Sequence, residues 1–473
     1  MRRTKIVATL GPASSSEEVI EQMLKAGLNV ARLNFSHGEY ETHEKTIETF
    51  RKVRDKMKIP AAVMLDTKGP EIRIKLIKED KVNLISGQTF TLTAREVEGD
   101  ETQVSITYSD LPRQLVKGTK ILIDDGRIIL TVEQTTDTDI ICRVIEGGVL
   151  SSRKSINVPN VSIDMPYMSE KDEQDILFGI EHDVDFVAAS FVRRKEDVIT
   201  LRKFIDYHGG HNIKIISKIE NIEGVRNFDE ILDHSDGIMV ARGDMGVEVE
   251  FEKLPGIQKK FIKKCYRAGK MVITATQMLE SMVTSYTPTR AEISDVANAV
   301  FDGTSAVMLS GETAMGAHPA HVIEVMSKIA EQAEADAFTM NYYRGAKFEI
   351  DADDVTNAIC DAACTTAKDL HAKAVIAVTK SGQTARRVSK FRPDMVIVAA
   401  TPEWKTFHQL ALSWGVAPVL SITQDNTDKL FRHAIDCAKQ IDLVEKGDTV
   451  VITAGATLNM VGTTNLLRVE TIV

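Results

Sequence analysis

The chain has 473 residues, of which 43% are hydrophobic and 27% charged, and its formal net charge is −10 at pH 7. This length predicts two or three domains with sizeable cores. The acidic balance disfavours a nucleic-acid partner, and no apolar run approaches the roughly 20 residues that span a membrane. Five cysteines, an odd number spread along the chain, do not indicate a disulfide framework. We therefore expect a cytoplasmic protein without nucleic-acid or membrane partners.

Short β-branched runs alternate with amphipathic segments of helical period before and after a central insertion. The predicted helices include residues 16–26, which a serine-rich cap opens, and residues 40–56. The runs are almost continuously apolar, as parallel strands covered on both faces are. Eight strand–helix units are what a (β/α)8 barrel requires, so we predict that fold. The predicted strands are residues 5–10, 29–33, 61–65, 185–189, 213–217, 237–240, 271–275 and 305–309.

The alternation is interrupted between about Pro70 and Pro166 by a pattern of period two with turn signals. Residues 88–93, 120–123 and 128–132 are predicted strands in this part. We predict a small β-barrel domain at residues 70–167, inserted into a catalytic barrel formed by residues 1–69 and 168–335. An insertion after the third strand overhangs the carboxyl ends of the barrel strands, where barrel active sites lie. The inserted domain is therefore predicted to act as a lid.

A second alternating pattern begins after Ala335. It predicts a helix at residues 353–370 and strands at residues 374–379, 395–400, 417–422 and 449–453, with helical segments between them. This order is typical of a doubly wound α/β domain, which we assign to residues 336–473.

Lys218 and Glu220 stand at the end of the fifth predicted strand, in Ser217-Lys218-Ile219-Glu220-Asn221. Period two directs both side chains to one face, into the mouth of the barrel. A lysine beside a carboxylate there suits a group that stabilises an anion next to a metal ligand. The alternative is an exposed ion pair, which is the commoner meaning of Lys-x-Glu taken alone.

The sixth and seventh predicted strands run into Gly243-Asp244 and Thr276. Gly243 lets the backbone approach a ligand closely, and Asp244 is a second carboxylate for the same divalent cation, Mg2+ or Mn2+. Asp244 could instead cap the following helix. Thr276 could bind substrate or relay a proton, or it could be an ordinary strand-end threonine.

Asn34, Ser36, Asp66 and Thr67 follow the second and third predicted strands, with Arg32 on the same side. Their oxygens are neutral or singly charged ligands. Such a set suits a large, weakly held monovalent cation better than a transition metal.

The segment Thr379-Lys380-Ser381-Gly382-Gln383-Thr384 follows a predicted strand and opens a helix. Backbone N–H groups, hydroxyls and a helix N-terminus together form a cradle for phosphate. A plain strand-to-helix turn is the alternative.

These motifs, in this order, resemble the pyruvate kinase family from residue 5 to the end of the chain. The resemblance implies a phosphotransferase that converts phosphoenolpyruvate and ADP to pyruvate and ATP, the last step of glycolysis, with Mg2+ and K+ as cofactors. It further implies a homotetramer and a phosphorylated allosteric activator. The N-terminal extension of animal members and the extra C-terminal domain of some bacterial members are expected to be absent.

The resemblance also implies roles for individual residues. Lys218 would stabilise charge on the migrating phosphoryl group and the enolate, and Arg32 would bind the phosphoryl group. The residues implied in catalysis are Lys218, Thr276, Arg32 and Arg73, and those implied in substrate binding are Arg32, Lys218, Gly243, Asp244 and Thr276. The implied ligand sets are Arg73 and Lys154 for the nucleotide, Glu220 and Asp244 for Mg2+, Asn34, Ser36, Asp66 and Thr67 for K+, and Thr379, Lys380, Ser381, Gly382 and Thr384 for the effector phosphate.

Three finer expectations follow from the same resemblance. An acidic residue at the position of Glu71 accompanies potassium dependence in this family, so the chain should need K+. No histidine is placed to protonate the enolate, which leaves Thr276, with Ser310 and Glu312 through water, as the expected proton source. Gly455-Ala456-Thr457 lacks the Trp and Arg with which eukaryotic members bind fructose 1,6-bisphosphate. A sugar monophosphate or AMP is therefore the expected activator.

Two other functions fit part of the pattern. A Mg-dependent pyruvate-enolate lyase on a barrel would share Glu220 and Asp244 but would not need Arg73, Lys154 or a lid. A catalytically silent metabolite sensor would keep the fold but would have lost a metal ligand or the lysine, whereas every expected site residue is present here.

Overall fold

The computed structural model describes residues 1–343, 354–424, 426–455 and 464–473. Its centre is a closed barrel of eight parallel strands, in which the first strand pairs with both the second and the last. The predicted barrel is therefore confirmed, with strand ends shifted by one or two residues. The barrel strands are Lys5–Thr9, Val30–Asn34, Ala62–Asp66, Phe186–Ala189, Lys214–Ile219, Gly237–Ala241, Met271–Ala275 and Ala306–Leu309.

Helices surround the barrel and begin and end as the sequence directs. In Glu17–Ala26, the Ser16 side chain accepts a hydrogen bond from Val19 N–H, and Gly27 ends the helix at φ +109°. The α-helices of this part are Glu17–Ala26, Tyr40–Met57, Glu170–Glu181, Lys195–Tyr207, Ile222–Arg226, Phe228–His234, Arg242–Glu248, Leu254–Ala268, Arg290–Phe301, Gly311–Ala314 and Pro319–Thr339, with 3-10 turns at Phe251–Lys253 and Glu280–Val283.

The inserted domain is a small barrel with its own core. Seven of its strands form one sheet, and an antiparallel bridge between Ile74 and Ile106 joins the two edges of that sheet. Buried aliphatic side chains and Phe90 fill its interior. Its strands are Ile72–Arg73, Lys81–Leu84, Thr89–Thr93, Gln103–Ser105, Lys120–Ile123, Ile128–Thr135, Asp139–Glu146, Gly148–Ser151 and Ser155–Asn157, with a helix at Leu111–Gln114 and a 3-10 turn at Lys78–Asp80.

The C-terminal domain is a five-stranded sheet with hydrophobic clusters on both faces, so the predicted doubly wound α/β fold is confirmed. Its last strand runs antiparallel at the sheet edge and was not predicted, because its residues alternate between half-buried and exposed without an apolar run. The strands are Ala374–Val378, Val396–Thr401, Val416–Leu420, Thr449–Ala454 and Leu466–Thr471, and the helices are Val355–Asp369, Gln383–Lys390, Trp404–Gln409 and Thr427–Gln440, with a 3-10 turn at Leu410–Leu412.

None of these described helices is both long enough and apolar enough to cross a bilayer. The domain limits at residues 69/70, 167/168 and 335/336 stay predictions.

The C-terminal domain seals the amino-terminal end of the barrel. Leu412 is fully buried within the cluster of side chains that fills the barrel interior. Lys5 Nζ, at the start of the first strand, donates to the carbonyl of Val416 at 2.7 Å. Gln409 Nε2 donates to the carbonyls of Asp185 at 3.1 Å and Asn212 at 2.7 Å. The barrel and this domain therefore share one core at the barrel floor.

Lys5 gives this joint a pH dependence that can be measured. Burial, helped by the charge of Arg2 and opposed by that of Glu334, lowers the pKa of Lys5 from 10.5 to about 7. Between these two pH values the unfolded chain binds a proton that the folded chain releases, so this group makes the folded state more stable as pH rises. Below about pH 7 the full penalty of burying the charged amine remains.

We expect the free energy of unfolding of the wild type, minus that of Lys5→Met, to increase by about 2–3 kcal/mol between pH 7 and pH 9. The measurement is denaturant unfolding of both proteins across this range. Lys203→Met, which removes an exposed lysine, serves as the control and should show no such trend. A difference between wild type and Lys5→Met that does not change with pH would contradict the expected titration.

Candidate active site

Lys218 lies at the centre of the charged groups in the barrel mouth. Its Nζ is 3.0 Å from Asp66 Oδ1 and 3.0 Å from Glu220 Oε1, and it donates to Ser190 Oγ at 2.7 Å. The side chain is almost completely buried. Three neighbouring strands of the closed barrel deliver these groups to one point, as the predicted inward direction of Lys218 and Glu220 requires.

Lys218 stays charged at every physiological pH. Burial alone would lower its pKa, but the carboxylates of Asp66 and Glu220 raise it by more, to well above its ordinary range. The lysine is therefore a fixed positive charge in a nearly dry environment, where it acts on an anion more strongly than it would in water.

Asp66 joins Lys218 to Arg32. Arg32 Nε donates to Asp66 Oδ2 at 2.6 Å, and Arg32 Nη1 donates to Thr9 Oγ1 at 2.8 Å. Burial raises the pKa of Asp66, but the charges and hydrogen bonds of Arg32 and Lys218 outweigh it and hold this pKa below the usual range. The carboxylate consequently stays ionised and fixes both cations in position.

Glu220 has a different electrostatic environment. Its Oε2 accepts a hydrogen bond from the Phe191 N–H at 2.6 Å, and the residue is only 1% exposed. Burial and the negative charge of Asp244 raise the pKa of Glu220 to about 7, against the opposing effect of Lys218. The charge of Lys218 therefore only partly offsets burial and Asp244, and an added cation would stabilise the ionised form of Glu220 further.

Asp244 is half-buried in the first turn of the helix Arg242–Glu248. Ala241 holds the N-cap position of that helix and Asp244 lies within its first turn, so Asp244 is not the N-cap. Among the described residues, no group of three or more His, Cys, Asp or Glu side chains could hold a metal by itself. Two carboxylates with hard oxygen ligands nonetheless fit Mg2+, which completes its shell with substrate oxygens and water.

Thr276 and Gly243 are held against each other. The Gly243 N–H donates to Thr276 Oγ1 at 2.8 Å, and that hydroxyl donates to the carbonyl of Ala275 at 2.6 Å. Thr276 and Gln277 both have left-handed backbone conformations, with φ of +68° and +53°. Such conformations are unfavourable for a β-branched residue and are maintained by the surrounding structure. The threonine is therefore held in one orientation at the mouth.

Glu312, the expected partner of Thr276 in proton transfer, is fully buried. Its two carboxylate oxygens accept hydrogen bonds from the N–H groups of Ser310 at 2.7 Å and Leu279 at 3.2 Å. Burial raises its pKa. These contacts show Glu312 ordering the loops after the seventh and eighth strands.

The predicted potassium ligands come from adjacent strands. Asn34 and Asp66 are register partners, and the Phe35 N–H donates to the carbonyl of Asp66 at 3.0 Å. Asn34 Oδ1 accepts from the N–H of the exposed Ser36 at 3.2 Å. Thr67 Oγ1 accepts from the Ser190 N–H at 3.2 Å. The four residues therefore lie at the ends of two neighbouring strands. Both carboxylate oxygens of Asp66 are hydrogen-bonded, to Arg32 and Lys218.

A cleft of about 270 Å3 lies between the lid and the barrel mouth. Arg73 contacts it while making a two-pronged ion pair with Glu71, at 2.7 Å for both nitrogen–oxygen distances. Lys154 Nζ lies 2.8 Å from Asp124 Oδ1. The acidic residues that line the cleft are Glu71, Asp124, Asp125, Glu223, Asp244 and Glu248, and the basic ones are Arg73, Lys154 and Arg193.

Several residues of the site escaped the sequence analysis. Ser190 bonds to Lys218, and its Oγ also donates to the carbonyl of Thr67 at 2.6 Å. Arg193 donates to the carbonyls of Ile163 at 3.0 Å and Met165 at 2.9 Å, which fixes the chain where it returns from the lid. Their position could have identified them, because Ser190 directly follows the fourth predicted strand and Arg193 comes three residues later.

Two threonines of the loop predicted to bind an effector phosphate are hydrogen-bonded. Thr379 Oγ1 accepts from the Gly382 N–H at 3.0 Å, and Gly382 has φ +81° where the helix Gln383–Lys390 begins. Thr384 Oγ1 lies 2.8 Å from Thr464 Oγ1. The Lys380 side chain is half exposed, and its Nζ lies 3.8 Å from Glu403 Oε1. Ala456 and Thr457 lie outside the described residues.

Two protein-family models match the chain, one over the barrel with its lid and one over the C-terminal domain. The family described as pyruvate kinase, barrel domain, matches residues 1–323, and pyruvate kinase, alpha/beta domain, matches residues 357–470. The chain belongs to the pyruvate kinase family. Pyruvate kinases generally depend on Mg2+ and K+.

Curated pyruvate kinases match along the whole chain. The protein from Clostridium acetobutylicum is 48% identical over 475 residues, and that from Clostridium perfringens 46% over 474; each alignment covers 100% of both chains. The pyruvate kinase of Staphylococcus aureus strain MRSA252 is 46% identical over 99% of this chain and 80% of its own length. The chain is thus a phosphotransferase that converts phosphoenolpyruvate and ADP to pyruvate and ATP. The lyase alternative has no support among these relatives.

The position of Ser190 predicts a role in orienting Lys218. We expect Ser190→Ala to lower kcat about tenfold or more, because Lys218 Nζ loses a hydrogen-bond acceptor that fixes its direction. Steady-state kinetics and thermal unfolding are the measurements. The matched control is Ser235→Ala. Ser235 is another buried serine, which follows the helix Phe228–His234, and its Oγ lies 2.6 Å from Ser217 Oγ. That variant should lose stability but keep its kcat, and equal loss of kcat in both would contradict the role of Ser190.

Proposed function

We propose that the charged cluster around Lys218 carries out the transfer of the phosphoryl group from phosphoenolpyruvate to ADP. The observation that supports this most directly is the placement of Lys218 Nζ 3.0 Å from both Asp66 and Glu220, with Arg32 on the far side of Asp66. Phosphoryl transfer needs little covalent chemistry from a protein, and alignment and charge neutralisation supply most of the acceleration. A rigid, preorganised set of cations meets that requirement.

Lys218 and Arg32 have separate tasks in this proposal. Arg32 binds the phosphoryl oxygens through the part of its guanidinium that Asp66 and Thr9 leave free. Lys218 stabilises the charge that spreads over the transferring oxygens and the enolate oxygen as the bond breaks. Because both cations are held by the ionised carboxylate of Asp66, neither must reorganise during the reaction.

Glu220 and Asp244 are the residues that would hold Mg2+. When bound, a divalent cation there would supply positive charge that offsets the negative charge of the substrate. A supporting observation is the pKa of Glu220, which burial and the negative charge of Asp244 raise to about 7 although Lys218 lowers it. The Phe191 N–H and Lys218 fix the orientation of the Glu220 carboxylate. Gly243 leaves the backbone open to substrate beside Asp244.

The nucleotide is proposed to bind in the lid cleft, with Arg73 and Lys154 as its contacts. Acidic residues outnumber basic ones there, so a nucleoside diphosphate would be repelled unless a divalent ion came with it. The lid is already joined to the barrel by Asn157 Nδ2, which donates to Glu248 Oε1 at 3.3 Å. A lid in this position would bring Arg73 and the phosphates towards Lys218.

Thr276 is our candidate for delivering the proton to the enolate carbon. Its hydroxyl is held at the mouth beside Gly243, and the buried Glu312 orders the neighbouring loop. We further propose that the loop of Thr379, Lys380, Ser381, Gly382 and Thr384 binds the phosphate of an activator, which is a sugar monophosphate or AMP.

A homotetramer in which effector and active sites are coupled is proposed from family membership.

Replacing Lys218 tests the central assignment. We expect Lys218→Met to lower kcat about a thousandfold while ADP affinity changes little, because the lost charge acts on the transition state. The readouts are steady-state turnover and calorimetric titration of ADP. Lys214→Met, on the same strand but paired with Asp236 at 3.1 Å near the floor, is the matched control and should keep its turnover. Near-normal turnover of Lys218→Met would contradict the role proposed for this lysine.

Potassium dependence tests the proposed role of Asn34, Ser36, Asp66 and Thr67. Glu71, which pairs with Arg73 here, is the acidic residue whose presence accompanies potassium dependence in this family. We expect turnover to fall at least about tenfold when K+ is replaced by tetramethylammonium at constant ionic strength, and to return when K+ is added. Full activity without K+ or Na+ would remove this assignment and leave that of Lys218 intact.

A further inference from the structure

Arg242 lies at the first position of the helix Arg242–Glu248, directly after the sixth barrel strand. It precedes Gly243, whose N–H donates to Thr276 Oγ1, and Asp244, the carboxylate proposed to hold Mg2+. Its side chain is only 10% exposed. A buried guanidinium needs several acceptors, because its N–H groups can only donate hydrogen bonds. The acceptors that Arg242 uses therefore show which part of the site it holds.

One edge of the Arg242 guanidinium binds the two backbone carbonyls that flank the Cα atom of Thr276. Nε donates to the carbonyl of Ala275 at 3.1 Å, and Nη2 donates to the carbonyl of Thr276 at 2.5 Å. The backbone here is left-handed at two successive residues, with φ of +68° at Thr276 and +53° at Gln277. Such a turn persists only where neighbouring groups hold it. The rigid fork of Arg242 is such a group, because it fixes both carbonyls together.

The other edge of the guanidinium is anchored by Asp295. Arg242 Nη1 donates to the two carboxylate oxygens of Asp295, at 2.8 Å and 2.7 Å. Asp295 belongs to the helix Arg290–Phe301, which is itself bonded to the loop after the seventh barrel strand. In that bond, Glu292 accepts from the Ser281 N–H at 2.7 Å and from Ser281 Oγ at 2.6 Å. The guanidinium is therefore fixed relative to the loop whose first residues it binds.

The bond from Arg242 to the Ala275 carbonyl also affects the Thr276 hydroxyl. This hydroxyl donates to the same carbonyl at 2.6 Å, and it must turn away to deliver its proton elsewhere. A carbonyl oxygen has two lone pairs, so the fully buried Ala275 keeps the Arg242 hydrogen bond when the hydroxyl turns. Without Arg242, the same rotation would leave a buried acceptor without a partner, which is unfavourable.

We propose that Arg242 is a positioning residue of the phosphotransfer reaction, which holds the backbone of Thr276 and frees its hydroxyl to protonate the enolate. In that step the hydroxyl O–H bond breaks, and the electron pair of the enolate double bond forms the new C–H bond at C3. The enolate oxygen becomes the ketone of pyruvate, and the threonine oxygen regains a proton from water. The inference rests on the role proposed for Thr276. An arginine with only a structural role would stabilise the fold and leave this step unchanged.

Exchange of the methyl protons of pyruvate isolates this step from phosphoryl transfer. An enzyme that protonates the enolate also catalyses the reverse, removal of a proton from C3 of bound pyruvate. The full chain is incubated with pyruvate, Mg2+ and K+ in D2O without nucleotide, and NMR follows the loss of the methyl proton signal. Steady-state kinetics with phosphoenolpyruvate and ADP give kcat and KM for the same proteins.

We expect Arg242→Lys, which keeps the charge but loses the fork, to lower both the exchange rate and kcat about ten- to hundredfold. KM for phosphoenolpyruvate should stay within about threefold of the wild-type value, because Arg242 bonds to protein acceptors on both edges. Arg242→Met should lower both rates at least as much, and Arg242→Lys decides the question if Arg242→Met does not fold. Exchange at the wild-type rate in folded Arg242→Lys would overturn the proposal.

Thr276→Val separates this inference from the proposal on which it rests. The variant keeps the branched shape but lacks the hydroxyl, so exchange should fall about a hundredfold or more. Wild-type exchange in Thr276→Val would remove the proton-donor role itself, and the inference with it. Slow exchange in Thr276→Val beside wild-type exchange in Arg242→Lys would remove only the positioning role. In the double variant we expect exchange within about twofold of Thr276→Val alone, because Arg242 acts through that hydroxyl.

Arg202→Met is the matched control. Arg202 also combines a backbone carbonyl with a carboxylate, since its Nη2 donates to the carbonyl of Ile213 at 2.9 Å and to Asp236 Oδ2 at 3.2 Å. These contacts lie at the amino-terminal end of the fifth barrel strand, opposite the mouth. We expect Arg202→Met to lower the thermal unfolding midpoint and to keep its exchange rate and kcat. Equal losses of exchange in Arg202→Met and Arg242→Met would contradict the specific role of Arg242.

Discussion

The burial of Lys218 between Asp66 and Glu220 is the constraint on which the rest of the site depends. Moving an ammonium group out of water is costly, and only two carboxylates at 3.0 Å keep it charged there. The two carboxylates are not equivalent, because Asp66 has a second cation in Arg32 whereas Glu220 faces the like charge of Asp244. The charge of Lys218 is therefore fixed in position, whereas the charge of Glu220 is only partly balanced, because burial and Asp244 oppose the effect of the lysine. In the proposed function, that asymmetry separates the residues that bind the phosphoryl group from those that would hold the metal.

A closed parallel barrel makes this arrangement possible. Its strands all end at one rim, so residues far apart in sequence, such as Arg32, Asp66 and Lys218, meet without any local motif that joins them. The lid adds carboxylates to the cleft that it shares with the mouth, from Glu71, Asp124 and Asp125. Arg193 connects the two, because it pairs with Asp197 at 3.2 Å while binding carbonyls of the returning lid segment. The lid is therefore anchored beside the residues it covers.

The sequence predicted the parts of the structure that depend on periodicity. Apolar runs located all eight barrel strands, and period two placed Lys218 and Glu220 together. It did not reveal the Phe191 N–H that holds Glu220, because that contact depends on a left-handed residue at φ +53° in an otherwise unremarkable loop. It also gave no sign that Leu412 enters the barrel core, since an apolar residue in a short helical segment could pack anywhere. Contacts between domains are set by tertiary packing, which single-sequence patterns do not encode.

The floor of the barrel is connected to the proposed effector loop through the C-terminal domain. The carbonyl of Lys380, in the proposed effector loop, accepts a hydrogen bond from Thr406 Oγ1 at 2.9 Å. Thr406 belongs to the helix Trp404–Gln409, which continues into Leu410–Leu412 and places Leu412 among the barrel's interior side chains. A close-packed interior transmits displacement rather than absorbing it. The effector binding proposed for this loop would therefore act on the barrel strands through Leu412.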